Sequence, residues 1–393
     1  MSFAQLWDSL LPAGRDPATG GYQRFSWTPA DAECRAWFTR AAAERQLRVD
    51  ADRNGNLWAW WDPAQPAPGA AGASGDGSGA GAARGGAVVA GSHLDSVPGG
   101  GAFDGPLGIV SAFAAIDLLR ERGLGPVRPL GVAAFTEEEG ARFGVACLGS
   151  RLAAGAVEPE QARALRDASG ITLAEAMAAA GYDPGLLGPD DDRLASLDAY
   201  VELHIEQGSA LAGLGAAVGL ATGIWPHGRW RLEFAGRPDH AGTAVLTGRR
   251  DPMLPFAATV LAARHAAAAH GALATIGKVV AEPGGVNAIS ATVTAWLDAR
   301  APDEAALQGT VSAILTAAAE AGHAHHVSVG SRQESATPTV DFDPGLRDRL
   351  AVALADRGIT APLLATGAGH DAGVLAARLP TAMLFVRNPT GVS

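Results

Sequence analysis

Apolar residues recur along this chain at two spacings, and the switches between them predict its elements. Cys34, Trp37, Phe38 and Ala41 fall at helical spacing behind Thr28-Pro29-Ala30-Asp31. There Thr28 can cap, Pro29 suits the first turn and Asp31 faces the free amides. Asn54-Gly55-Asn56 is a turn signal ahead of a strand, Leu57 to Trp61. The run Ala87-Val88-Val89-Ala90 reads as a buried strand. After a glycine-rich loop a helix begins at Pro106, with Ile109, Ala112, Phe113, Ile116 and Leu119 on one stripe. Leu130 to Phe135 is almost wholly apolar, as a strand covered on both faces should be. Residues 151–190 look helical and alanine-rich. From Tyr200 to Gly208 another strand ends in polar groups, and alternation puts Glu202, His204 and Glu206 on one face.

The texture changes near residue 215. Arg229 to Phe234 alternates cleanly, which predicts a strand with one wet face. A helix around 251–270, strands near 274–280 and 289–297, and a helix over 303–321 complete a compact α+β insert, placed at 215–330. Its sheet could pair edge to edge with a second copy. The first domain, 1–214, then resumes over 331–393, where Thr366-Gly-Ala-Gly-His370-Asp371 opens a helix and Pro380 to Val386 is a last apolar strand.

A length of 393 residues suits two domains. The net charge of −11 argues against nucleic acid or an anionic membrane as partner, so an anionic substrate needs a local cationic pocket. Two cysteines, Cys34 and Cys147, cannot make a disulfide framework, which fits a reducing cytosol. The N-terminus lacks a signal-peptide pattern and no apolar run is long enough to span a bilayer, so the expected location is cytoplasmic. Residues 62–86 are rich in Pro, Ala, Gly and Ser and read as a mobile loop, with a functional lid as the competing reading.

The chemistry gathers where strands end. His93 and Asp95 close the strand at 87–90, and Asp104 follows after the glycine-rich turn. Ligands of open α/β sheets sit at such ends, and a divalent metal accepts imidazole and carboxylate. A glycine-rich loop with a stray His and two solvated carboxylates is the competing reading. Glu137-Glu138-Glu139 ends the strand at 130–135; three adjacent carboxylates repel, so a nearby cation would relieve them, against the alternative of a solvated charge run. His204 between carboxylates at a strand end is a third candidate ligand.

Taken together, Gly91-Ser-His-Leu-Asp, Gly100-Gly-Ala-Phe-Asp-Gly, Glu138-Glu-Gly-Ala-Arg-Phe, Leu203-His-Ile-Glu-Gln-Gly, Asp239-His-Ala-Gly-Thr and Gly367-Ala-Gly-His-Asp resemble one family. It is that of the dinuclear-metal amidohydrolases related to aminoacylases and glutamate carboxypeptidases, within it the ureidohydrolase branch of allantoate amidohydrolase, N-carbamoyl-L-amino-acid hydrolase and β-ureidopropionase. The resemblance runs from about residue 24 to 393. It implies an α/β, metal-dependent exopeptidase-like catalytic domain, with a mixed, mostly parallel sheet between helices, and an inserted α+β domain that acts as lid and homodimer surface. It implies two divalent metal ions per subunit, manganese or zinc, with cobalt and nickel also suited to the donors. His93 and His204 would bind one metal, Glu139 the other, and Asp104 would bridge them. Asp95 would fix the tautomer of His93, and Glu138 would be the general base. Gln207, His240, Asn287, Arg300 and His370 would contact a small anionic ureido substrate. Arg300 would be its carboxylate clamp, and His240 would also assist catalysis at the oxyanion.

The expected reaction is hydrolysis of a ureido C–N bond, with allantoate as first substrate and a carbamoyl amino acid as the alternative. An aminoacylase or dipeptidase, disfavoured by His204 and Gln207, and a non-catalytic binding protein are the rival functions. In the family the last strand leads to Gly-Ile/Val-Ser-His-Ser-Pro, whose His completes the second metal. The sequence stops at Ser393, one residue short of that His; either the natural protein continues to it, or it lacks that ligand and its second metal is expected to bind weakly.

Overall fold

A computed structural model describes residues 2–63 and 86–391; the stretch 64–85, and the reading of it as a loop or lid, lies outside the described residues. Along the chain the strands are β1 Arg48–Ala51, β2 Leu57–Trp61, β3 Ala87–His93, β4 Leu130–Phe135, β5 Leu197–Ile205, β6 Val218–Ile224, β7 His227–Ala235, β8 Asp239–His240, β9 Leu273–Glu282, β10 Ala288–Ile289, β11 Thr292–Arg300, β12 Ser328–Thr337, β13 Val340–Asp341, β14 Leu363–Thr366 and β15 Thr381–Val386. The chain forms two compact units. One is Met1–Thr222 with Phe342–Leu364 and Gly369–Ser393; the other is Gly223–Asp341 with Ala365–Ala368. These boundaries sit later than 215 and 330, because most of β6 pairs within the first sheet while β12 pairs with β7 in the second.

In the first unit the strands run in the order β1-β2-β4-β3-β5-β15-β6. The centre is parallel, with β4, β3, β5 and β15 aligned, and antiparallel strands flank it on both sides. Apolar side chains fill both faces, as a central parallel sheet requires. On one face Leu57, Ala59, Val132 and Ala134 meet Cys34, Trp37, Phe38, Ile109 and Phe113 from the helices Pro29–Glu44 and Pro106–Glu121. The alternate residues Trp58 and Phe135 pack edge to face on the other side, and Phe135 meets Tyr200 likewise. There Arg193, from the helix Asp191–Ala195, lies 5.0 Å over the Trp58 ring. The mixed α/β sheet read from the sequence is therefore the observed one. Parallel alignment also brings the C-terminal ends of β3, β4 and β5 to one edge, and each end carries acidic or imidazole groups.

The second unit is a four-stranded antiparallel sheet, β12-β7-β11-β9. Leu232, Phe234, Val293, Ala295 and Leu297 pack on one face against the helices Met253–His270 and Glu304–Ala324. Residues of the other parity, Arg229, Arg231, Trp296, Asp298 and Arg300 among them, stay partly or fully exposed. Among the described residues no helix is long and apolar enough to cross a membrane.

Candidate metal centre

His93 is the last residue of β3, and its imidazole is buried. Its Nδ1 lies 3.1 Å from the Asp95 carbonyl and 3.4 Å from Asp95 Oδ1. Both partners accept, so Nδ1 carries a hydrogen and Nε2 is left to face Asp104 and Glu138. Burial works against the charged ring, but Glu138, Asp104 and Asp95 outweigh it and raise the imidazole well above its ordinary value. The loop that returns toward it ends on Gly105 at φ +80, where a Cβ would stand 2.5 Å from His93 Cε1. Only glycine fits there, and the helix that starts at Pro106 follows directly.

His204 lies on β5. Its Nδ1 faces the Ile205 carbonyl at 2.8 Å, which leaves its Nε2 to point at Asp104. That Nε2 is 3.1 Å from Asp104 Oδ1, and His93 Nε2 is 3.7 Å from the same oxygen. Neither Nε2 has an aligned hydrogen-bond partner among the described residues, although both are buried. Burial alone would raise the Asp104 carboxyl, but the contacts with His204 and His93 outweigh it and hold the carboxyl well below its usual range. Two imidazole Nε2 atoms and a carboxylate thus converge, with ligand atoms of His93, Asp104 and His204 within 4.8 Å of one another. Such a donor set fits a divalent cation and is poorly satisfied without one.

The three glutamates after β4 diverge. Glu137 sits at φ 56, and its Oε1 accepts from the backbone of Arg142 at 2.9 Å and Phe143 at 2.7 Å. It shapes the turn. Burial, with Asp95 adding, raises its carboxyl to about 7. Glu138 points inward, its Oε2 3.6 Å from His93 Nε2 and its Oε1 3.5 Å from the Cys147 thiol. Burial pushes its carboxyl well up; His93 opposes this, while Asp371, Glu139 and Asp95 add to it. Glu139 is half-buried and stands outside the His93–Asp104–His204 group. Burial raises its carboxyl, His93 opposes, and Asp104 and Asp95 add. Asp95 joins the pieces: Oδ1 accepts the Glu138 amide at 3.2 Å and Oδ2 the Glu139 amide at 3.1 Å.

Gln207 donates to Asp104 Oδ2 at 2.9 Å, and the His370 ring lies 4.4 Å from that of His204. Glu202, His204 and His370 form a second group with ligand atoms within 4.8 Å. Glu202 accepts from Ser92 Oγ at 2.7 Å and from the Ala372 amide at 2.9 Å, and Asp371 accepts from Ser150 Oγ. The β5 alternation and the His-Asp pair at 370–371 were the only signals for this buried shell. Glu206 leaves the face shared by Glu202 and His204. It caps the next helix instead, accepting the amides of Ala210 at 2.7 Å and Leu211 at 3.0 Å. The remaining candidates belong to the second unit. His240 on β8 and Ala288, next to Asn287, are paired across a short ladder, and both His240 and Asn287 are exposed. Arg300 ends β11, bound to Asp298 and to the Gly367 carbonyl.

A family model described as peptidase family M20/M25/M40 matches residues 89–393. The chain is 34% identical to an N-carbamoyl-L-amino acid amidohydrolase of Geobacillus stearothermophilus over 99% of this chain and 91% of that protein. It is 30% identical to the allantoate amidohydrolase of Escherichia coli (strain K12) over 100% of this chain and 92% of that protein. Among solved structures, a hydantoinase/carbamoylase family amidase from Burkholderia ambifaria superposes with a TM-score of 0.80 at 33% identity, covering 100% of this chain and 93% of that one.

Proposed function

The chain belongs to peptidase family M20/M25/M40, and from that premise we propose that it is a metal-dependent hydrolase of the carbamoyl C–N bond in a ureido carboxylate. The observation that carries the reading is the meeting of His93, Asp104 and His204 ligand atoms beside a buried Glu138. His93 and His204 would hold one divalent ion, Glu139 a second, and Asp104 both. Bound there, the ions supply Lewis acidity and a water of lowered pKa. The chain's own groups do the rest. Asp95 holds the Nδ1 hydrogen of His93, which would leave Nε2 for the ion. Glu138, whose carboxyl burial raises, accepts the proton of the attacking water and returns it to the departing nitrogen. Water adds to the carbamoyl carbon and one C–N bond breaks, releasing one nitrogen; the carbamic acid that remains loses carbon dioxide and frees the other, so the products are an amine, ammonia and carbon dioxide. Gln207 and His370 stand beside the ligand group, which supports their assignment to substrate. His240, with an N–H for the oxyanion, and Asn287 and Arg300 enter on the resemblance alone, as does a homodimer through the second unit, whose sheet ends on edge strand β9.

Allantoate is the first substrate proposed, from the likeness of Ser96 to Pro106 and of Arg387 to Val392 to sequences with that role. An N-carbamoyl-L-amino acid is the second reading, favoured by the 34% identity to the Geobacillus protein. Ammonia release from both compounds, with manganese supplied, distinguishes them. In the same assay Glu138→Gln is expected to lower kcat by about 1,000-fold or more with metal content unchanged. Full activity in that variant removes Glu138 from the mechanism.

A further inference from the structure

We infer that Asp298 is a positioning residue that sets the preference for a carboxylate-bearing substrate, by holding the Arg300 guanidinium in one orientation. The inference rests on the reading of Arg300 as the substrate's carboxylate clamp. Asp298 and Arg300 lie two apart on β11 and so share the open face of the second sheet. Arg300 Nε donates to Asp298 Oδ1 at 2.7 Å, and Nη2 donates to Oδ2 at 3.2 Å. Its Nη1 donates to the Gly367 carbonyl at 2.6 Å. A guanidinium has five N–H donors in one plane. These bonds use one on each nitrogen and leave one N–H on each Nη without a partner among the described residues. A pair of neighbouring Nη donors in a fixed plane matches the two oxygens of a carboxylate.

The charge balance supports the same role. Asp298 also accepts from Arg229 Nε at 3.4 Å, across the β7–β11 ladder. Burial would raise the Asp298 carboxyl, but Arg300 and Arg229 outweigh it and hold it below its usual value. Two guanidiniums to one carboxylate leave a net positive charge, so pairing orients Arg300 without cancelling its attraction for an anion. In a chain of net charge −11 that local excess matters for anionic substrates.

The test compares Asp298→Asn, Asp298→Glu and Arg300→Ala in the manganese-loaded full chain. The substrates are allantoate, N-carbamoyl-L-alanine and N-carbamoyl-L-alanine amide. With Asp298→Asn, KM for the turned-over carboxylate is expected to rise about 10- to 100-fold with kcat within about threefold. The preference for carboxylate over amide should shrink by the same factor, and Asp298→Glu should restore part of it. Arg300→Ala should abolish the preference. An Asp298→Asn protein that keeps its preference, while Arg300→Ala loses it, overturns the inference and leaves the clamp standing. So does an Asp298→Asn protein that loses activity on acid and amide alike, since that is a merely structural effect. Unchanged kinetics in Arg300→Ala, or no turnover of either carboxylate by the parent protein, overturns the reading of the site and the inference with it.

Discussion

Glu137, Glu138 and Glu139 are neighbours in the chain and differ sharply in surroundings, and backbone geometry is the cause. A left-handed φ of 56 at Glu137 turns its side chain onto the amides of Arg142 and Phe143, so Glu138 can face His93. Strain of this kind costs about 1–3 kcal/mol and persists only where the surroundings hold it. Glu137 also carries a titration consequence. Its carboxyl is raised by burial to about 7, above an ordinary value of 4.5, so the folded state prefers the protonated form. The stability this contributes is present below the unfolded value and is lost as pH rises through about 7. Glu137→Gln keeps an acceptor for the two amides and cannot ionise. Its thermal stability should match the parent near pH 4 and exceed it by roughly 1–3 kcal/mol near pH 9. Melting curves that run parallel across that range would show that Glu137 carries no buried-charge penalty.

At the scale of elements, the loop between β3 and the helix at Pro106–Glu121 decides where His93 can stand. Gly105→Ala would place a methyl 2.6 Å from both ring nitrogens of His93, at φ +80. The expected result is a loss of about 1–3 kcal/mol in stability and about a 10- to 100-fold weaker manganese affinity by calorimetry. Parent-like affinity in a folded Gly105→Ala protein would show that this loop does not set the imidazole. β3 and β4 were legible because each is built on a short apolar run, with candidate ligands at or just past its end, whereas β5, with Glu202 and His204 inside it, was legible from its alternation. What escaped reading depends on distant partners or on weak patterns. Glu206 looked like a third member of the His204 face, but the strand ends at Ile205 and the side chain turns to cap a helix. Glu202 and Asp371 owe their roles to Ser92, Ala372 and Ser150, which no local spacing reveals. β12, Ser-Val-Gly-Ser-Arg-Gln-Glu-Ser-Ala-Thr, is an edge strand with almost no buried side chain, so its polarity masked the end of the insert.

At the scale of the whole molecule, each unit closes its own core. The first rests on Phe38, Ile109, Phe113 and Val132 between sheet and helices; the second on Leu232, Phe234, Val293 and Leu297 beneath its two helices. The ligand group of His93, Asp104 and His204 lies wholly within the first. A defect in the second core should therefore spare metal binding. Leu297 is fully buried, so Leu297→Ala should cost the second unit about 2–5 kcal/mol through lost burial and the cavity left behind. Manganese should still bind the variant with parent affinity. Because a ligand stabilises only the state that binds it, a hundredfold excess over Kd should add about 2.7 kcal/mol to the unfolding of the first unit. Calorimetric scans with and without manganese can separate the two effects: the substitution lowers one transition, and the metal raises the other. A single transition that moves as one under both perturbations, or a Leu297→Ala protein unable to bind manganese, would mean that the second core supports the metal centre after all.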